Sequence, residues 1–223
     1  WHCHITPPEH LQMGMVGQIF VRPRQDRLAN NTNLYTSLRA QQADKRTKCD
    51  VNDLLCSNSV PLADNGATHA AGAQYVYNDG DGSTGYQRHF AILMDEYWHQ
   101  FHDGDRDIQE SRATDYDPEW FVLNGRCYPQ TTLPNDSPSL PAALRIPTIN
   151  TTTGDTDYSL PNSALIQVNG GERVLLRLAN LGYEQHAMEL PGIAMHVVGQ
   201  DASLLRNGSV DTSYLTNTLF IGP

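Results

Sequence analysis

Residues 1–17 read Trp1-His2-Cys3-His4-Ile5-Thr6-Pro7-Pro8-Glu9-His10-Leu11-Gln12-Met13-Gly14-Met15-Val16-Gly17. Within this stretch His2, Cys3, His4, His10 and Met15 are all of types that ligate metals. If Trp1–His4 is the end of a β-strand, successive side chains point to opposite faces. His2 and His4 then share one face and Cys3 takes the other. One metal centre can bind the sulfur while a second, across the strand, takes the two imidazoles. Only a few covalent bonds separate the three side chains, which gives an electron a short path between centres.

The first centre can be assembled further. A blue-copper site uses two His, one Cys and a weak axial Met. Cys3, His10 and Met15 supply three of these, and the second His is expected from an earlier strand, ahead of Trp1. Zinc is the competing metal, but it favours closed tetrahedral Cys/His sets without methionine. Met15 and the H-C-H triplet favour copper.

Outward from this segment, Ile5–Glu9 reads as a proline-bearing loop and Gly17–Val21 as a closing strand. Residues 1–23 are thus expected to be the last strands of one β domain. Residues 24–87 are rich in Asn, Gln, Asp, Ala and Gly, lack periodicity and end in the turn-dense NDGDGSTG. A structureless connection of that length is unusual inside one compact domain, so it is expected to be an interdomain linker with short ordered pieces. A second β region, 88–223, opens with the bulky run HFAILMDEYW and continues with EWFVLNGRCYP. Next comes ERVLLRLANLG, where Val174, Leu176 and Leu178 share a face. HAMEL, Pro191-Gly192 and IAMHVVGQD are expected to form a hairpin.

WHCHITPPEHLQMGMVG resembles the terminal copper motif of multicopper oxidases: H-C-H, a spacer, His, three residues, then Gly and Met or Leu. By position, Cys3, His10 and Met15 resemble the ligands of the type 1 copper, with Met15 axial. His2 and His4 resemble ligands of the paired type 3 coppers in a trinuclear cluster. The spacer departs from the family: five residues separate His4 from His10, where three are common. A second resemblance lies in GERVLLRLANLGYEQHAMELPGIAMHVVGQDA, similar to a second domain of the same family. Glu189 and Pro191 stand there where copper-bearing domains place histidines. That domain is therefore expected to bind no copper, with His186 structural and His196 a satisfied core histidine.

What the resemblance implies is an all-β chain of cupredoxin-like Greek-key sandwich or barrel domains. It also implies one-electron oxidation of a small reducing substrate, a metal ion or a phenol, coupled to four-electron reduction of O2 to water, with no catalytic residues beyond the copper ligands. The flanking histidines set this apart from electron-transfer cupredoxins, which lack them, and from copper nitrite reductase, which uses one. A non-catalytic blue-copper electron-transfer or copper-binding protein is the main alternative. The remaining ligands are expected from the same polypeptide or from further subunits.

Composition sets bounds. The formal net charge is −10, which argues against a nucleic-acid partner, since such binders carry a basic patch. No run reaches the roughly 18 apolar residues that span a bilayer. Cys49 and Cys56, seven apart in a polar stretch, are expected to close a small disulfide loop, which implies an extracellular or periplasmic setting. Cys127 reads as a buried small residue. Trp98-His99-Gln100-Phe101-His102-Asp103-Gly104-Asp105 reads as a solvated acidic loop, with a docking site for a divalent metal substrate as the sharper alternative.

Overall fold

The computed structural model describes residues 3–5, 7–42, 64–107, 113–134, 137–139, 147–149, 156–158, 163–207 and 210–223. Strands dominate it. The helices are short: α1 (Pro7–Gln12), α2 (Leu34–Gln42) and α3 (His99–Asp107).

In chain order, β1 (Gln74–Tyr75) and β2 (Gly85–Tyr86) form a first small ladder. They are followed by β3 (Arg88–Tyr97) and β4 (Trp120–Leu123). A ladder of β5 (Pro147–Ile149) with β6 (Thr156–Tyr158) precedes β7 (Val174–Asn180). The central sheet has the order β4-β3-β7, with β3 antiparallel to β4 and parallel to β7. A parallel neighbour demands a long crossover, which the stretch between β4 and β7 provides. Ile92 to Glu96 of β3 are buried without a break, as expected for a strand covered on both faces.

The turn after β4 is fixed by Asn124, at φ 52°. Its Oδ1 accepts from the Leu93 amide at 2.8 Å and its Nδ2 donates to the Ala91 carbonyl at 2.9 Å. This side chain extends the sheet where the ladder ends, keeping buried backbone groups of β3 satisfied.

The C-terminal part is a nested excursion. Its strands are β8 (His186–Glu189), β9 (Met195–Val197), β10 (Gly199–Gln200), β11 (Ser203–Leu204), β12 (Arg206–Asn207), β13 (Val210–Asp211), β14 (Tyr214–Thr216) and β15 (Thr218–Ile221). β8 pairs with β15 and β9 with β14, while β10–β11 and β12–β13 are small ladders at the far end. Ile92, Leu93, Met94, Trp98 and Val122 form a core around β3, while Leu34 is buried beside the β1–β2 ladder.

The mostly-strand architecture agrees with the all-β expectation. Among the described residues no barrel closes. The strands expected at 89–97, 120–123 and 174–180 are present. Several local expectations are corrected. Pro7–Gln12 is a helix rather than a loop, because proline is well accommodated in the first turn, where its missing N–H costs nothing. No strand occurs at 17–21, where Ile19 and Val21 are largely exposed. The Pro191-Gly192 turn exists, closed by the Ile193 amide on the Leu190 carbonyl. Its two arms, however, pair with β14 and β15 rather than with each other.

The expected linker holds more order than its composition promised. Asp79 is fully buried and accepts from Gln25 Nε2 at 2.8 Å, from the Gly82 and Thr84 amides at 2.8 Å, and from the Thr84 hydroxyl. Gln25, also fully buried, receives the Gly80 amide at 2.8 Å. No helix among the described residues is long and apolar enough to cross a membrane.

Candidate metal centre

Helix α1 ends in a complete Schellman motif. Gly14, at φ 88°, takes the left-handed position. The Met15 amide reaches back to the His10 carbonyl at 3.0 Å, and the Gly14 amide to the Leu11 carbonyl at 2.9 Å. This geometry brings together the residues three from the helix end and just past it, here His10 and Met15. The spacing His10-x-x-x-Gly14-Met15 is therefore the signature of a helix stop that returns the chain to the level of His10.

Cys3 stands beside the His10 ring. Its Sγ lies 3.2 Å from His10 Nδ1. Around one tetrahedral metal with bonds of about 2.3 Å to sulfur and about 2.0 Å to nitrogen, as for zinc, two such donors sit roughly 3.5 Å apart. A small separation of the pair would admit an ion. Cys3 and Cys127 are thiols rather than halves of a disulfide. The Met15 thioether is about half exposed, on the solvent side of the turn.

Beneath α1 lies a polar network on the buried end of β3. Gln12 is 1% exposed. Its Oε1 accepts from the Trp98 amide at 3.1 Å and its Nε2 donates to the Tyr116 hydroxyl at 3.2 Å. Trp98, Phe101, Tyr116 and Tyr183 pack mostly edge to face around this contact, with Trp98–Tyr116 centroids at 5.4 Å and Tyr116–Tyr183 at 5.2 Å. Such pairs add specific geometry to simple burial.

Glu96 is fully buried behind Tyr116. It accepts from the amides of Tyr183 and Glu184, the latter at 2.8 Å, and contacts His186 Nε2 at 3.2 Å. A side chain at Gly182 would run into this carboxylate, so glycine is required there. Burial pushes the neighbouring Asp95 carboxyl up to about 6; the Glu96 charge adds to the rise, while a bond from the Glu96 amide and the nearby His186 oppose it. Burial and then the Glu96 charge raise the Tyr116 hydroxyl, keeping it protonated and able to donate.

Of the residues expected to hold metal, the fold brings Cys3 and His10 together and places Met15 on the adjoining turn. His4 is exposed, and His2 lies outside the described residues. Cys49 and Cys56 lie outside them too. Among the described residues no three His, Cys, Asp or Glu side chains converge as a ligand set. Cys3, His10 and Met15 are of three of the donor types of a type 1 copper, and among the described residues no second imidazole joins Cys3 and His10. The stretch expected as an acidic loop, 98–105, is instead the buried Trp98 followed by most of α3, where His99 Nδ1 contacts the Glu119 carboxylate at the surface. His186 has the structural partner its expected role calls for. His196 does not sit in the core: it is exposed and bonds Ser213 Oγ at 2.8 Å.

Sequence reasoning missed Gln12, Tyr116 and Glu96. The available signal was Asp95-Glu96 inside an otherwise apolar strand, since adjacent carboxylates are not buried without partners. Comparison with family models, with curated proteins and with solved structures found no match to this chain.

Proposed function

We propose that this chain is part of a multicopper oxidase. Cys3, His10 and Met15 hold the type 1 copper, and His2 and His4 contribute to a trinuclear type 2/type 3 cluster. The observation that carries the reading is the 3.2 Å approach of Cys3 Sγ to His10 Nδ1, with Met15 returned to the same level by the Gly14 turn. The strand-rich architecture beyond residue 74 supports cupredoxin-like domains; in this reading 1–23, whose described residues hold helix α1 and no strand, end a copper-bearing domain, 24–87 connect, and 88–223 form a second, copper-free domain.

Bound copper supplies reversible one-electron chemistry at the sulfur site and reduction of O2 to water at the cluster. The chain's own residues do the rest. The Cys3 thiolate is the soft donor that selects copper over harder ions. The peptide bonds between Cys3 and its neighbours His2 and His4 offer the electron route. His10 is aimed by the last turn of α1, and the buried side of that helix keeps solvent from reaching it from below. The reducing substrate is a small metal ion or phenol. Additional histidines come from a longer polypeptide or from further subunits, in an extracellular or periplasmic setting.

The test is copper counting with visible and EPR spectra, on the 223-residue chain and on any longer polypeptide carrying it. An intense blue thiolate-to-copper band, lost in Cys3→Ser, is expected, with four coppers and O2 consumption once the ligand set is complete. A single blue copper with no O2 consumption would leave an electron carrier. Absence of any thiolate-to-copper band would sink the proposal.

A further inference from the structure

We propose that Gln12 is the positioning residue of the Cys3–His10 pair, clamping α1 from behind through Trp98 and Tyr116. The inference rests on the copper reading for its spectroscopic consequence, but its structural part stands by itself.

A helix of six residues has too few hydrogen bonds to hold its own orientation. Something outside must fix its rotation. Successive residues advance by about 100°, so Gln12 and His10, two apart, point to nearly opposite sides. Fixing Gln12 inward therefore fixes His10 outward, towards Cys3. Gln12 meets the requirement: its side chain is buried and both ends of its amide are used, one by the Trp98 backbone and one by the Tyr116 hydroxyl. Tyr116 is itself braced by Trp98, Phe101 and Tyr183 and faces the buried Glu96 carboxylate. The chain of contacts runs from the metal-ligand helix to a rigid strand, β3. Supporting contacts of this kind orient ligands, and losing one costs about 10- to 100-fold in metal affinity.

Two variants test this. Gln12→Leu keeps roughly the volume but removes both bonds; Tyr116→Phe keeps the ring packing and removes the hydroxyl, both the acceptor for Nε2 and its own bond to Glu96. The copper-independent readout is the rate at which the Cys3 thiol reacts with an aromatic disulfide reagent, in a background where Cys49, Cys56 and Cys127 are all replaced by Ser so that Cys3 is the one thiol left. An increase of about tenfold is expected in Gln12→Leu and a smaller one in Tyr116→Phe, with the far-UV circular dichroism of the sheet unchanged. The second readout is Cu(II) titration, where the Gln12→Leu chain should show weakened binding and altered EPR hyperfine splitting. Unchanged thiol reactivity in Gln12→Leu overturns the clamp. A longer polypeptide that carries the full ligand set and still takes up no copper, with the thiol effect intact, sinks the copper reading and leaves the clamp standing.

Discussion

At the scale of single residues, the most consequential group is the Asp95-Glu96 pair, two carboxylates inside the sheet. Glu96 has amide and imidazole partners, whereas Asp95 meets mainly desolvation and its carboxyl rises to about 6 from an ordinary value of 3.8. A carboxyl raised on folding favours the protonated, folded form. Its stabilising contribution is complete below about pH 4 and is lost as pH climbs through 6. A shift of roughly two units corresponds to about 3 kcal/mol. Asp95→Asn preserves the oxygen that accepts the Glu96 amide at 2.9 Å but cannot ionise. The variant should match the wild type near pH 4 and exceed it near pH 7 by on the order of 2–3 kcal/mol in urea unfolding. Comparing the two chains at each pH cancels opposing groups such as Glu172, held down at about 2 by Arg88. A constant difference across that range would show that Asp95 is not the titrating group. The adjacent acids were visible in the sequence; that one of them lacks compensation was not, because partners such as Tyr183, Glu184 and His186 come from about ninety residues away.

At the scale of elements, α1 is the lesson in what local sequence conceals. Two prolines and a long spacer read as a loop, yet proline suits a first helical turn, and Leu11-Gln12-Met13-Gly14 is a helix stop. The signal was present and was outweighed by the strand pattern that the metal motif calls for. Gly14 carries the turn: nothing lies near the position its Cβ would occupy, so the cost of adding one is conformational alone. Gly14→Ala should therefore destabilise by about 1–2 kcal/mol, the penalty of a left-handed backbone for a residue with Cβ. It should also move Met15 away from His10. Thermal melting gives the first quantity, and the blue-band position of the copper-loaded chain gives the second. A variant with wild-type stability would mean that the turn tolerates another conformation. Strands β3, β4 and β7 were legible for the opposite reason. Each is a dense apolar run; in β3, buried from Ile92 to Glu96, burial on both faces needs no alternation to be recognised, while β7 was marked by the shared face of Val174, Leu176 and Leu178.

At the scale of the whole molecule, long-range pairing decided what the sequence could not. The β8–β15 and β9–β14 ladders nest around a chain excursion, and no local pattern announces which strands will close it. The same holds for the stretch expected to be a linker. Asp79 and its loop join three distant pieces: Gln25 on one side, the turn 80–84 at the centre, and Arg206 on the other. Arg206 Nη2 lies 2.6 Å from Asp81 Oδ2 and 2.9 Å from Ser83 Oγ. A buried carboxylate that holds several donors is replaced badly by anything smaller, since each orphaned buried donor costs about 1–3 kcal/mol. Asp79→Ala is expected to lower global stability by on the order of 3–5 kcal/mol. If this loop ties the 24–87 stretch to the C-terminal excursion, hydrogen exchange should accelerate together at residues 25–28, 76–86 and 204–207. Faster exchange confined to 76–86, with the unfolding midpoint unmoved, would mean that the loop is a local turn and that the pieces hold their places without it.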